Sequence, residues 1–259
     1  MPFFNNKGIR LFYEDMGKGK PLMLLHGLSS NHQMFYREME YLKDKFRLIA
    51  LDSRGHGESD KPEEFTLEDH IEDTVALLDH LRLDSVYVLG ISMGSYIAQG
   101  VAIRQPKRVE KLILAATKSF GTQSSMTELF ERYKEDFAGL SITEKLNLSS
   151  KFIFHDLKTV NAWQKEISKR SRMLTNKQQG AAANALKNFD FRGDLKRITA
   201  ETLVISGKYD GLNPPAKGRE TAVLIPDADY MEFQDSGHAP NVEQVRLFLG
   251  VVEKFLGSD

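Results

Sequence analysis

Three side chains in this 259-residue chain could together perform nucleophilic acyl transfer. The first is Ser92, in Gly90-Ile91-Ser92-Met93-Gly94. A serine hydroxyl is a poor nucleophile at neutral pH. It needs a base to take its proton, and the base needs a third group to fix its tautomer and stabilise its cation. Asp210, in Ser206-Gly207-Lys208-Tyr209-Asp210-Gly211, and His238, in Asp235-Ser236-Gly237-His238-Ala239-Pro240, can supply those two parts. Asp235 competes as the acid because it lies close to His238. Asp210 is better placed, since it follows an apolar run and is flanked by turn residues. Asp227 and Asp229 read as solvated turn residues.

A Gly-x-Ser-x-Gly pentapeptide alone is a weak signal, because it also serves as an ordinary turn. Context strengthens it here. The β-branched run Val86-Tyr87-Val88-Leu89 ends directly at Gly90, and a helical pattern starts at Met93. A serine on such a strand-to-helix turn is pushed out of the sheet, at the helix N-terminus. Strand and helix pass close together there, and Gly90 and Gly94 carry no side chain to clash. The same turn aims the Met93 N–H at the position of an oxyanion. Two further histidines have structural readings. His26 shapes its loop through hydrogen bonds to backbone, and His56 sits in the turn-rich stretch 52–59.

The elements that must position these residues alternate along the chain. Strands are expected at 9–15, 21–25, 46–51, 86–89, 111–115, 202–206 and 230–233. Helices are expected at 32–45, from Thr66 with an N-cap and early acids, at 93–104, and from about 242 to 255. This β-α-β-α order predicts a mostly parallel sheet covered on both faces. In such a sheet the loops after the strands gather at one edge, so Ser92, Asp210 and His238 converge there. From about 121 to 192 no strand pattern occurs. Leu129, Phe130, Tyr133 and Phe137, then Trp163, Ile167 and Leu174, suit helix faces.

Composition narrows the function classes. A net charge of −1 gives no global field for nucleic acid or membrane. With no cysteine, disulfide and thiolate chemistry are excluded. The N-terminus lacks a basic stretch followed by an apolar one, and no apolar run reaches the length of a membrane span, so a cytoplasmic protein without stable membrane association is expected. No His-Glu-x-x-His pattern and no Gly-x-Gly-x-x-Gly loop is present.

Taken in order, the His26-Gly27 loop, Asp52-x-Arg54-Gly55-x-Gly57-x-Ser59, the Ser92 turn, the Asp210 turn and the Gly237-His238 ending resemble the α/β-hydrolase superfamily over nearly the whole chain. The resemblance is to the small esterases, C–C hydrolases and cofactor-free perhydrolases. It implies a doubly wound, mostly parallel eight-stranded sheet formed by residues 1–120 and 193–259, with a helical cap, 121–192, inserted over the active site. It implies a serine hydrolase that cleaves small to medium carboxylic esters through an acyl-enzyme, with Ser92, Asp210 and His238 as the triad. The backbone N–H groups of Leu28 and Met93 would form the oxyanion hole. No cofactor or metal is implied, and the partner is a small ester-like molecule. A serine at position 92 disfavours the aspartate-dependent dehalogenases and epoxide hydrolases. Members that cleave C–C bonds often carry a tryptophan soon after the histidine, whereas Ala239-Pro240-Asn241 follows here. A C–C hydrolase or thioesterase with the same triad is the alternative. A non-catalytic small-ligand receptor is a second, against which the intact triad argues.

Overall fold

The computed structural model describes residues 2–171 and 173–257. The strands are β1 (Phe3–Asn6), β2 (Ile9–Gly17), β3 (Lys20–Leu25), β4 (Phe46–Leu51), β5 (Val86–Ile91), β6 (Val109–Ala115), β7 (Phe120–Gly121), β8 (Phe189–Asp190), β9 (Glu201–Gly207) and β10 (Ala228–Phe233). Eight of them form one sheet in the order β1-β2-β4-β3-β5-β6-β9-β10. β2 pairs antiparallel with both β1 and β4, and the other neighbours pair parallel. Parallel neighbours require crossovers, and these are supplied by α1 (Tyr36–Leu42), α2 (Leu67–His80), α3 (Met93–Arg104) and α8 (Pro215–Leu224). Two helices close the chain after the last strand, α9 (Pro240–Glu243) and α10 (Val245–Gly257).

Side-chain parity explains why the central strands are apolar without alternation. Met23 and Leu25, Ile49 and Leu51, and Val86 and Val88 point to one face, where they pack with Ile71 and Leu78 of α2 and Tyr96 and Ile97 of α3. Leu22 and Leu24, Leu48 and Ala50, and Leu89 and Ile91 point to the other, against Met39 and Leu42 of α1 and Phe248 and Val252 of α10. Both faces are buried, so the inner runs Leu22–Leu25, Leu48–Leu51 and Val86–Ile91 carry no charged residue, and Lys20 and Arg47 fall at the less buried strand starts. Each large side chain so buried contributes about 1.5–3 kcal/mol.

Among the described residues, four α-helices lie between β6 and β9: α4 (Ser125–Arg132), α5 (Ile142–Ile153), α6 (Leu157–Ile167) and α7 (Asn176–Asn184). Each starts where the sequence offers an N-cap: the side chains of Ser124, Ser141, Asp156 and Thr175 all accept a first-turn N–H. Ser141 with Glu144 and Thr175 with Gln178 complete capping boxes. The expectation of no strand in this stretch misses one detail. β7 and β8 pair antiparallel at the two ends of the segment, and two-residue strands have no periodicity to read.

Other boundaries differ for local reasons. β1 lies outside the expected strands. It is joined to β2 by Lys7 and Gly8, with φ of 50° and 87°, a two-residue hairpin turn whose twist suits antiparallel strands. The expected helix 32–45 is a 3-10 turn at His32–Phe35 followed by α1. The expected closing helix is broken at Gln244, where φ is −125° and ψ is 51°. Among the described residues, no helix is long and apolar enough to cross a membrane.

Candidate active site

Ser92 links β5 directly to α3 and holds φ 54° and ψ −119°, a region that non-glycine residues occupy only when their surroundings force it. Those surroundings are visible. The Ser92 N–H donates to the Ala115 carbonyl at 2.9 Å, and the Ser92 carbonyl accepts from the Ser95 N–H at 2.8 Å. The two glycines are obligatory. A Cβ on Gly94 would meet the Leu25 carbonyl oxygen at 1.9 Å, and one on Gly90 would meet the Gly94 oxygen at 2.2 Å. The turn therefore ejects the Ser92 side chain into a cavity at the C-terminal edge of the sheet.

Asp210 follows β9 and His238 follows β10. The two loops are tied together, because the Tyr209 N–H donates to the Ser236 carbonyl at 2.9 Å. They pass so closely that a Cβ on Gly207 would lie 1.9 Å from the Gly237 oxygen. The result is a continuous chain of polar contacts. His238 Nε2 lies 2.9 Å from Ser92 Oγ, and His238 Nδ1 lies 2.8 Å from Asp210 Oδ2. Asp210 is buried, and its other oxygen accepts from the N–H groups of Leu212 (2.9 Å) and Asn213 (2.8 Å). Its carboxylate orientation is thereby fixed. Asp235, the competing acid, is exposed at the surface.

The Gly27-Leu28 turn faces Ser92 from the end of β3. A Cβ on Gly27 would sit 3.5 Å from Ser92 Cβ, and Gly27 and Leu28 both line the cavity. Among the described residues, the N–H groups of Leu28 and Met93 donate to no protein acceptor. His26 holds this turn from behind. Its Nδ1 donates to the Gly27 carbonyl at 2.8 Å and its Nε2 accepts from the Ser53 N–H at 3.1 Å. Burial pushes its pKa down, so the ring is neutral at pH 7 and this tautomer is defined by its partners. His56 is also buried, contacts the Arg54 carbonyl through Nδ1, and is pushed down to about 3 by desolvation. Neither ring reaches the cavity.

The cavity has a volume of about 830 Å³. Met126, Phe154, Trp163 and Met173 of the helical segment line it. Phe130, Phe137 and Phe152 instead pack together with Leu129 and Ile153, so the segment's aromatic side chains divide between cavity wall and helix core. Among the described residues, no group of three or more His, Cys, Asp or Glu side chains is spaced to hold a metal ion.

Some of the surrounding residues escape a reading from sequence. Asn213 donates its Nδ2 to both the Tyr96 hydroxyl and the Ala116 carbonyl at 2.6 Å, tying the Asp210 loop to α3 and β6. The available signal was Asp210 followed by Gly, the pattern of an aspartate that accepts hydrogen bonds from the backbone two and three residues on. Glu38 of α1 is buried and accepts from Asn241 Nδ2 at 3.0 Å, and burial pushes its carboxyl up to about 7. No local signal marks that pair, which meets only through tertiary packing.

The α/β hydrolase fold family matches residues 20–245 of this chain. An AB hydrolase superfamily protein of Bacillus subtilis, YisY, is 29% identical over 96% of each chain. The 3-oxoadipate enol-lactonase 2 of Acinetobacter baylyi is 27% identical over 98% of this chain and 97% of its own. An esterase from Exiguobacterium antarcticum superposes with a TM-score of 0.83 at 26% identity, over 97% of both chains. The sheet order, the turn at Ser92 and these likenesses agree, and the chain belongs to the α/β hydrolase fold family and is a hydrolase.

Proposed function

We propose that the protein is a serine hydrolase that cleaves small to medium carboxylic esters through an acyl-enzyme. The observation that carries this reading is the unbroken path from Ser92 Oγ through the His238 ring to the buried Asp210 carboxylate, with contacts of 2.9 and 2.8 Å. Asp210 accepts the Nδ1 proton of His238, which leaves Nε2 unprotonated and facing Ser92 Oγ. As Oγ bonds to the ester carbonyl carbon, its proton moves to His238 Nε2, and the carbonyl electron pair moves onto oxygen. The N–H groups of Leu28 and Met93 receive that oxyanion. The imidazolium then protonates the leaving alkoxide, and the C–O bond breaks to give the acyl-enzyme. Water loses a proton to His238 and attacks the acyl carbon. The tetrahedral species collapses by returning the proton to Ser92 Oγ, which frees the acid.

In this proposal residues 121–192 form a cap over the 1–120 and 193–259 core. Support comes from Met126, Phe154, Trp163, Ile167 and Met173, which lie in the segment and line the cavity. Such a cover excludes water from the acyl-enzyme and shapes the acyl site. A chromogenic short-chain ester assayed on wild type and S92A tests the reading. Loss of the nucleophile costs on the order of a million-fold in turnover. A folded S92A enzyme with near-wild-type activity overturns it.

A further inference from the structure

Residues 152–156, which leave α5 and enter α6, are hydrogen-bonded to both loops that carry the acid and the base. The Phe152 carbonyl accepts from the Gly211 N–H at 2.9 Å, next to Asp210, and the Ile153 carbonyl accepts from the His238 N–H at 2.8 Å. These approaches require bare backbone. A Cβ on Gly211 would meet the Phe152 oxygen at 2.2 Å, and one on Gly237 would meet the Ile153 oxygen at 2.4 Å. The His155 ring also stacks on Tyr209, with centroids 4.1 Å apart.

One side chain joins these parts. Glu243, the last residue of α9, accepts through Oε1 from the N–H groups of Gly237 (3.0 Å) and Ala239 (3.1 Å), the residues on either side of His238. Its Oε2 accepts from the N–H groups of His155 (2.7 Å) and Asp156 (2.8 Å). Only a carboxylate can serve four donors in this way, because both of its oxygens are acceptors and neither carries a proton. Glu243 does not line the cavity, so substrate binding is not its task.

We propose that Glu243 is a positioning residue that makes the placement of His238 depend on the seating of residues 152–156, so that the helical segment over the cavity and the base move as one unit. The proposal rests on His238 being the base of the reading above. Displacing residues 155–156 to admit substrate pulls on Oε2, and the strain passes through one carboxylate to the backbone flanking His238. Reseating realigns Nε2 on Ser92 Oγ. The prediction is a loss in the chemical step and not in binding.

The test uses E243Q and E243D in the full chain with a small activated ester, measuring kcat and KM separately and counting active sites with a serine-reactive phosphonate. Gln keeps one acceptor but turns an NH2 group toward two N–H donors, whereas Asp keeps the charge and reaches one pair only. Both variants are expected to fold by circular dichroism, with KM changed by less than about threefold. Misplacement of a catalytic group by an ångström costs on the order of 100-fold, and kcat per titrated site in E243Q falls by about that factor, with a smaller loss in E243D. The downfield proton resonance of the His238–Asp210 hydrogen bond shifts or broadens in E243Q. An unchanged kcat per titrated site overturns the proposal. So does a change confined to KM, and so does failure of both variants to fold, which makes Glu243 structural only. S92A separates the two levels: residual turnover in S92A rejects the triad itself, whereas a dead S92A beside an unaffected E243Q rejects only the role of Glu243.

Discussion

Replacing Asp210 by Asn changes one oxygen to an NH2 group, and the surroundings decide which oxygen that is. Oδ1 accepts from two backbone N–H groups, those of Leu212 and Asn213, while Oδ2 faces only His238 Nδ1. An NH2 at the Oδ1 position would leave two buried donors unsatisfied, at about 1–3 kcal/mol each. The amide oxygen therefore stays with the backbone, and the NH2 group points at His238. It donates to Nδ1, which must then be the unprotonated nitrogen, and the ring proton moves to Nε2. Nε2 lies 2.9 Å from Ser92 Oγ, so the proton now blocks the only lone pair available to accept the hydroxyl hydrogen. A wrong tautomer of this kind lowers kcat by roughly ten-thousand-fold while leaving the fold intact. The assay is kcat and KM on a chromogenic ester at pH 7, with thermal unfolding to show that the variant is folded. Asp235 is exposed, and D235N is expected to change activity by no more than about twofold, as for most surface substitutions. D210N retaining more than about a tenth of wild-type kcat, against the expected ten-thousand-fold loss, would refute this reasoning, as would an equal loss in D235N.

Two further outcomes follow from packing and burial. G94A forces a Cβ to within 1.9 Å of the Leu25 oxygen; overpacking against unyielding backbone costs about 3 kcal/mol, the upper end of the usual range, which lowers Tm by roughly 6–12 °C for a domain of this size, and an unchanged Tm contradicts the close approach of α3 to the end of β3. Glu38 has its pKa raised from 4.5 to about 7 by burial, so between those values the folded state binds more protons than the unfolded one, and stability falls as pH rises through this window before levelling above it. E38Q removes that loss and keeps an acceptor for Asn241; its Tm advantage over wild type should grow from pH 5 to pH 8, corresponding to on the order of 3 kcal/mol, and a difference independent of pH counts against a buried, titrating Glu38.

The fold and the three candidate site residues are legible because each announces itself locally. Ser92 carries its glycines and its strand within a few residues, and Asp210 and His238 each sit in a turn after an apolar run. Chain order then brings the turns to one sheet edge. What remained hidden depends on contacts between distant segments. Glu243 meets His155 and Asp156 only after residues 152–156 fold back over the core. Glu38 and Asn241 come from α1 and α9, on elements far apart in sequence. The division of the aromatic side chains into cavity wall and helix core is set by how α4 to α6 pack, which helical periodicity cannot supply. β1 has only four residues, too few to establish a period of two.

Covalent capture of the acyl group tests the central claim most directly. Wild type and S92A are mixed with excess p-nitrophenyl ester, quenched in acid on the timescale of turnover, and weighed intact before proteolytic mapping. The account predicts that wild type gains the mass of one acyl group, that the group lies on the peptide containing Ser92, and that S92A gains none. Acyl transfer to another residue, or full turnover with no covalent species and an active S92A enzyme, would contradict it.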